Sequence, residues 1–179
     1  TISVIDLETF TEIKKIEVAI NLHRIKGDKY GMLYTSSRGN YYNVPSKLYI
    51  IDCYKDQLVD SLDIAVSNMC IDGDSAYVYS TEWNYTAGDN TVTYGIIDLK
   101  KKEVVSRNFI KDGTDKKIKI PYGIAIHPIT KDIYVTDAKN YVSPGTLYCF
   151  SKEGILKWKT MTGDIPAHFA FKGKLKNEN

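Results

Sequence analysis

The feature that most constrains this chain is an internal repeat. Val4-Ile5-Asp6-Leu7 returns as Ile50-Ile51-Asp52-Cys53 and again as Ile96-Ile97-Asp98-Leu99, with the aspartates 46 residues apart each time. A fourth, degenerate copy, Leu147-Tyr148-Cys149-Phe150-Ser151, slips in register because residues 111–119 carry an insertion. A fixed period of this size marks a fold built by stacking one supersecondary unit.

Each copy sits in a frame of four short stretches, named A to D here. In the second unit they are residues 23–26, 31–36, 47–53 and 57–62; in the third, 69–71, 76–81, 91–99 and 103–109; in the fourth, 123–126, 132–137, 146–150 and 155–160. Runs of this length rich in Val, Ile, Tyr and Thr, divided by Gly-Asp, polar or Tyr-Lys-Asp turns, predict strands rather than helices. Four strands in about 46 residues is the size of a β-propeller blade. The fold class expected is all-β: blades of four antiparallel strands, about three complete and two partial. The partial ones are strands C and D at residues 1–18 (2–7 and 12–18) and a closing A-like strand, 167–171, within 164–179. Whole blades fall at 19–64, 65–110 and 111–163, and the mid-blade start is read as the boundary of a piece of a larger ring.

Composition narrows the function classes. With 24 Lys+Arg against 22 Asp+Glu, the formal charge of +2 is too small for a dedicated nucleic-acid binder. No apolar run reaches the length of a membrane-spanning helix, and residues 1–7 lack the regions of a signal peptide. Cys53, Cys70 and Cys149 are widely separated within apolar stretches and are read as three buried small hydrophobes.

The motif inventory is poor in catalytic signatures. No Gly-x-Ser-x-Gly, His-Glu-x-x-His, phosphate-binding Gly loop or dinucleotide fingerprint occurs. Asp6, Asp52 and Asp98 read as acceptors for the turn that follows each of them. Glu82 and Asp137 end B strands and form only a weak candidate for a central metal; no cofactor or metal is expected. The lysine runs 100–102 and 116–119 read as solvated faces.

The B-to-C loops are richer. Residues 38–45, 82–88 and 138–145 each contain an Asn-Tyr pair, at Asn40-Tyr41, Asn84-Tyr85 and Asn140-Tyr141, with Arg38, Tyr42 and Trp83 nearby. Propeller topology gathers these loops on one face, where aromatic rings and carboxamides suit a flat ligand with a polar edge. The plainer alternative is that Asn forms the turn and Tyr packs between blades. His168 is placed on the same face near the axis, His127 in a turn on the opposite face, and His23 is undecided.

Residues 120–137, Ile-Pro-Tyr-Gly-Ile-Ala-Ile-His-Pro-Ile-Thr-Lys-Asp-Ile-Tyr-Val-Thr-Asp, resemble the YVTN repeat of YncE-like, surface-layer-type β-propellers. The continuation 138–148 and the ending 163–171 are similar to exported propellers of gut Bacteroidetes, some of which are cell-surface lipoproteins that capture cobalamin for an outer-membrane transporter. The resemblance implies a ring of about seven blades, with this chain as its C-terminal half. It also implies export to the cell surface with an upstream lipid anchor, a transporter partner, and a non-enzymatic site for a corrinoid. A glycan-binding propeller and a lactonase-like hydrolase are the alternatives.

Overall fold

A computed structural model describes residues 1–84, 86 and 88–172. Fourteen strands occupy it, with no α-helix among the described residues and a single 3-10 turn, Thr114–Lys117, inside the insertion. Strands β1 (Ile2–Ile5) and β2 (Glu12–Ile16) form a hairpin. Then come three four-stranded antiparallel sheets, each in simple sequence order. The first holds β3 (Leu22–Gly27), β4 (Met32–Ser37), β5 (Lys47–Asp52) and β6 (Gln57–Leu62). The middle sheet holds β7 (Asn68–Asp72), β8 (Ser75–Asn84), β9 (Asp89–Asp98) and β10 (Glu103–Ser106). The third holds β11 (Pro121–Ile126), β12 (Ile133–Asp137), β13 (Thr146–Phe150) and β14 (Leu156–Met161).

The repeated aspartate locks each meander. Asp52 Oδ1 accepts the backbone N–H groups of Tyr54 (2.9 Å) and Lys55 (3.2 Å). Asp98 does the same for Lys100 and Lys101, both at 2.9 Å, and Asp6 for Glu8 (3.1 Å) and Thr9 (2.7 Å). In the degenerate copy the Ser151 hydroxyl takes over, accepting from Glu153 N–H at 3.3 Å. A short side-chain acceptor at this position satisfies donors that the turn leaves free, so the hairpin registers in the same way each time.

Strand alternation sends two apolar sets to opposite faces of the middle sheet. Met69, Ala76, Val78, Ile97 and Leu99 pack with Tyr34, Leu48 and Ile50 of the first sheet. Tyr79 and Tyr94, with partly buried Tyr77 and Ile96, pack with Ile124, Ile133, Val135 and Phe150 of the third. The three sheets therefore stack face to face, and both faces of the middle one are core. This explains why its strands read as continuously apolar rather than alternating. The first strands lie side by side, β7 between β3 and β11, which makes an inner column from which each sheet extends outward.

Three expectations need correction. Residues 167–171 are not a strand: their carbonyls find no ladder, and the segment instead lies on the third sheet through ring contacts of Phe169 and Phe171 with Tyr134 (6.1 and 5.6 Å between centroids). Gly123 admits this path, because a Cβ there would sit 2.7 Å from the Ala167 carbonyl oxygen. The β8–β9 hairpin is longer than expected, pairing Glu82 with Thr91, Trp83 with Asn90 and Asn84 with Asp89. Finally, only Cys149 is fully buried, while Cys53 is exposed in a turn and Cys70 is intermediate. Burial pushes the Cys70 thiol up to about 12, which keeps it protonated and unreactive.

Candidate functional site

At one end of the stack lie the longer loops, 38–46 and 138–145, together with Trp83 and Asn90 of the β8–β9 hairpin. The two loops share a backbone plan. In the first, Gly39 (φ 61°) and Tyr41 (φ 63°) are left-handed; in the second, Lys139 (φ 54°) and Tyr141 (φ 64°) are. Bulky residues rarely adopt this conformation, so a tyrosine held there twice is informative.

What holds it is the asparagine. Asn40 Oδ1 accepts from Tyr42, Asn43 and Val44 N–H at 3.0, 3.1 and 2.9 Å, while its Nδ2 donates to Asn43 Oδ1. Asn140 Oδ1 accepts from Val142 (3.1 Å) and Ser143 (2.8 Å), and Asn84 Oδ1 from Thr86 (3.0 Å). The carboxamides of Asn40 and Asn140 thus bond within their own turns, and the tyrosine that follows each of these two is left-handed. Asn40 and Asn140, expected to face a ligand, accept from the backbone of the loops that carry Tyr41 and Tyr141, and Asn84 accepts from Thr86 N–H. Tyr85 lies outside the described residues.

The rings converge. A cleft of about 660 Å³ opens at this end, lined by Arg38, Tyr41 and Tyr42 from the first loop, Trp83 from the hairpin arm, and Tyr141 from the third-sheet loop. The rims are solvent-facing, with Trp83 54% and Tyr141 47% exposed. Tyr141 rests edge-on against Tyr122, 5.8 Å between centroids, and Asn21 Nδ2 reaches the Tyr41 hydroxyl at 3.5 Å. The floor is hydroxylated by Ser37, Ser67, Ser80 and Thr81. Five of the predicted rim residues share this cleft.

His168 does not join them. It lines a second cavity of about 390 Å³ along the inner column, with Lys26, Asn68, Cys70 and Phe169. His23 and Arg24 of β3 line both cavities and so mark where they meet. Arg38 Nη2 lies 2.8 Å from His23 Nε2. Partial burial, then the charges of Arg38 and Arg24, hold the His23 imidazole below its usual pKa, so at neutral pH it is uncharged and accepts from the guanidinium.

The acidic candidates are occupied. Asp137, 2% exposed, accepts from Ile120 N–H (2.9 Å), Lys139 N–H (2.8 Å) and Lys119 N–H (3.2 Å), and Glu82 accepts from the Ser46 hydroxyl. No group of three or more metal-ligating side chains occurs among the described residues. His127 is a turn residue, its Nδ1 accepting from Ile129 and Thr130 N–H. Sequence reasoning missed Arg24, Tyr79 and Tyr122, which sit on strands. The one available signal was that arginine is scarce in a lysine-rich chain, with Arg24 one of three.

No protein-family model matches this chain, and no curated protein sequence matches it significantly.

Proposed function

We propose that the three stacked sheets are consecutive blades of a YncE-like β-propeller, and that the protein holds a ring-bearing ligand non-covalently in the loop-end cleft. The single observation carrying the binding reading is the convergence of Tyr41, Trp83 and Tyr141, from three different sheets, on one open cleft. Two of these rings, Tyr41 and Tyr141, sit on left-handed backbone in the asparagine-held turns. Exposed aromatics on a rigid scaffold offer large contact area at small entropic cost.

A corrinoid is the leading candidate ligand. It is flat, broad and rimmed by amides, and it exceeds the cleft, so it would lie across the rim with its outer face free for a transporter at the cell surface. Glycan is the second reading, favoured by the serine and threonine hydroxyls that floor the cleft. Calorimetric titration with cyanocobalamin and with a panel of oligosaccharides separates the two. Trp83→Ala should weaken whichever binds by about 2 kcal/mol, as for a central aromatic anchor, with unfolding free energy changed by less than about 0.5 kcal/mol. Equal affinity in wild type and variant sinks the cleft reading.

A further inference from the structure

Of the 24 basic side chains in this chain, only Arg24, Arg38 and Arg107 are arginines. Two of those three line the loop-end cleft, and no lysine does. A guanidinium differs from an ammonium in presenting a planar fork that matches the two oxygens of a carboxylate, sulfate or phosphate. The enrichment therefore has a chemical meaning that general solubility lacks.

Neither guanidinium is neutralised. The ion pairs among the described residues are all made by lysine. Arg38 bonds only to the uncharged His23, and the Arg24 side chain has no hydrogen-bond or ion-pair partner among the described residues. Among the described residues Glu82 is the one carboxylate lining the cleft; its Oε1 accepts from the Ser46 hydroxyl, and it makes no ion pair with Arg24 or Arg38. Where the cleft meets the inner cavity, Arg24 is joined by Lys26, and no carboxylate among the described residues lines that cavity. Clustered unpaired cations with low-dielectric walls concentrate anions.

We propose that the junction of the two cavities, formed by Arg24 and Arg38 beside His23, receives an anionic group of the ligand: a carboxylate, a sulfate or a phosphate ester. The rest of the ligand lies outward across Tyr41, Trp83 and Tyr141. This rests on the cleft reading above and adds a charge requirement to it.

The chain's three arginines make the test direct. In the full chain labelled with nitrogen-15, each gives one Nε–Hε resonance, and Arg107 is the internal control. Titrations at fixed ionic strength use inorganic phosphate, glucuronate against glucose, and cyanocobalamin, which carries a phosphodiester, against dicyanocobinamide, which does not. The expected result is a joint, saturable shift of Arg24 and Arg38 with at least one anionic probe while Arg107 stays still. Arg24→Gln should weaken that probe about tenfold or more and its uncharged counterpart less than about twofold, the loss expected when a bidentate charged contact is removed. Arg24→Lys, which keeps the charge without the fork, should fall between and serves if the glutamine variant does not fold. All three resonances drifting in proportion to salt, no saturable shift with any anion, or equal loss for charged and uncharged probes overturns the assignment. If Trp83→Ala weakens binding while the arginine variants do not, the cleft stands and the anion site falls; if Trp83→Ala changes nothing, the cleft reading itself has failed.

Discussion

The two ends of the stack use charge in opposite ways. At the end carrying the short turns, Asp74 gathers Lys29 (2.6 Å), Lys100 (3.2 Å) and the Tyr30 hydroxyl, which together hold its carboxyl well below the usual range. Lys131 pairs with Asp72 at 2.6 Å, and Lys157 with Asp132 at 2.8 Å. These contacts tie the turns of neighbouring strands and sheets to one another. At the loop end the cleft is lined by Arg24, Arg38 and Glu82, none of which makes an ion pair among the described residues, and Tyr41, Trp83 and Tyr141 are exposed around it. The turn end pairs its charges with one another; at the loop end Lys47 pairs with Asp63 at 2.7 Å, while Arg24 and Arg38 make no ion pair among the described residues. The difference separates a face whose charges tie strands and sheets together from one where two guanidinium groups border an open cleft.

That comparison can be broken by substitution. The largest expected effect is at Asp137, the buried support beneath the loop end. Asp137→Ala strands three backbone N–H groups and should cost about 2–3 kcal/mol of stability in denaturant unfolding. A cost near zero would mean that the loop end has no structural foundation of its own. Next is Lys139, which occupies the left-handed position that glycine fills at Gly39. Lys139→Gly should raise stability by roughly 1 kcal/mol, because the Cβ penalty disappears. Smaller still is Lys131→Ala at the turn end, expected to change stability by about 0.5 kcal/mol or less, as for an exposed pair, and to leave ligand affinity untouched.

The last effect is a slope rather than a step. The folded-state pKa of His23 lies below its usual 6.5, so as pH falls through and below that value the unfolded chain takes up the proton first. Stability should therefore decline as pH drops from neutral through that window, and His23→Gln should remove this part of the decline. Chemical denaturation at a series of pH values reads it, and identical slopes in both proteins would show that neither burial nor the charges of Arg38 and Arg24 hold the imidazole below its usual value.

Most of the strand layout was legible in the sequence, because its signals are local. Asp6, Asp52 and Asp98 recur at one place in each meander, and the turns between strands carry Gly, Asp and Asn where the backbone needs them. The rim was legible in part, for the same reason: Arg38, Tyr41, Trp83 and Tyr141 stand out on loops. What stayed hidden depends on partners distant in the chain. Ala-His-Phe-Ala-Phe at 167–171 alternates like a strand, but a strand also needs an edge to pair with. The β8–β9 hairpin runs on because Thr91, Val92 and Thr93 sustain the ladder opposite Glu82, Thr81 and Ser80, which a loop reading of residues 82–88 cuts short. Arg24 and Tyr122 look like ordinary strand residues until the stacking of β3, β7 and β11 brings them to a shared cavity. The turn bonds of Asn40 and Asn140 were hidden too, since a carboxamide beside an exposed tyrosine looks the same in sequence whether it meets a ligand or its own backbone.

The simple order of strands inside every sheet has a kinetic consequence. Because each strand pairs with its neighbour in the chain, ladder formation closes only short loops, and the entropy of closure is small at every step. Each meander can thus assemble as a local unit within microseconds, the timescale of hairpins, before docking buries its faces. The slow event in folding should be that docking, where Tyr34, Val78 and Ile97 on one interface and Tyr79, Ile133 and Phe150 on the other leave water together. A chain organised in this way can also lengthen by duplicating one unit, since a copied meander brings its own hydrogen bonds and asks its neighbours only for a matching apolar face.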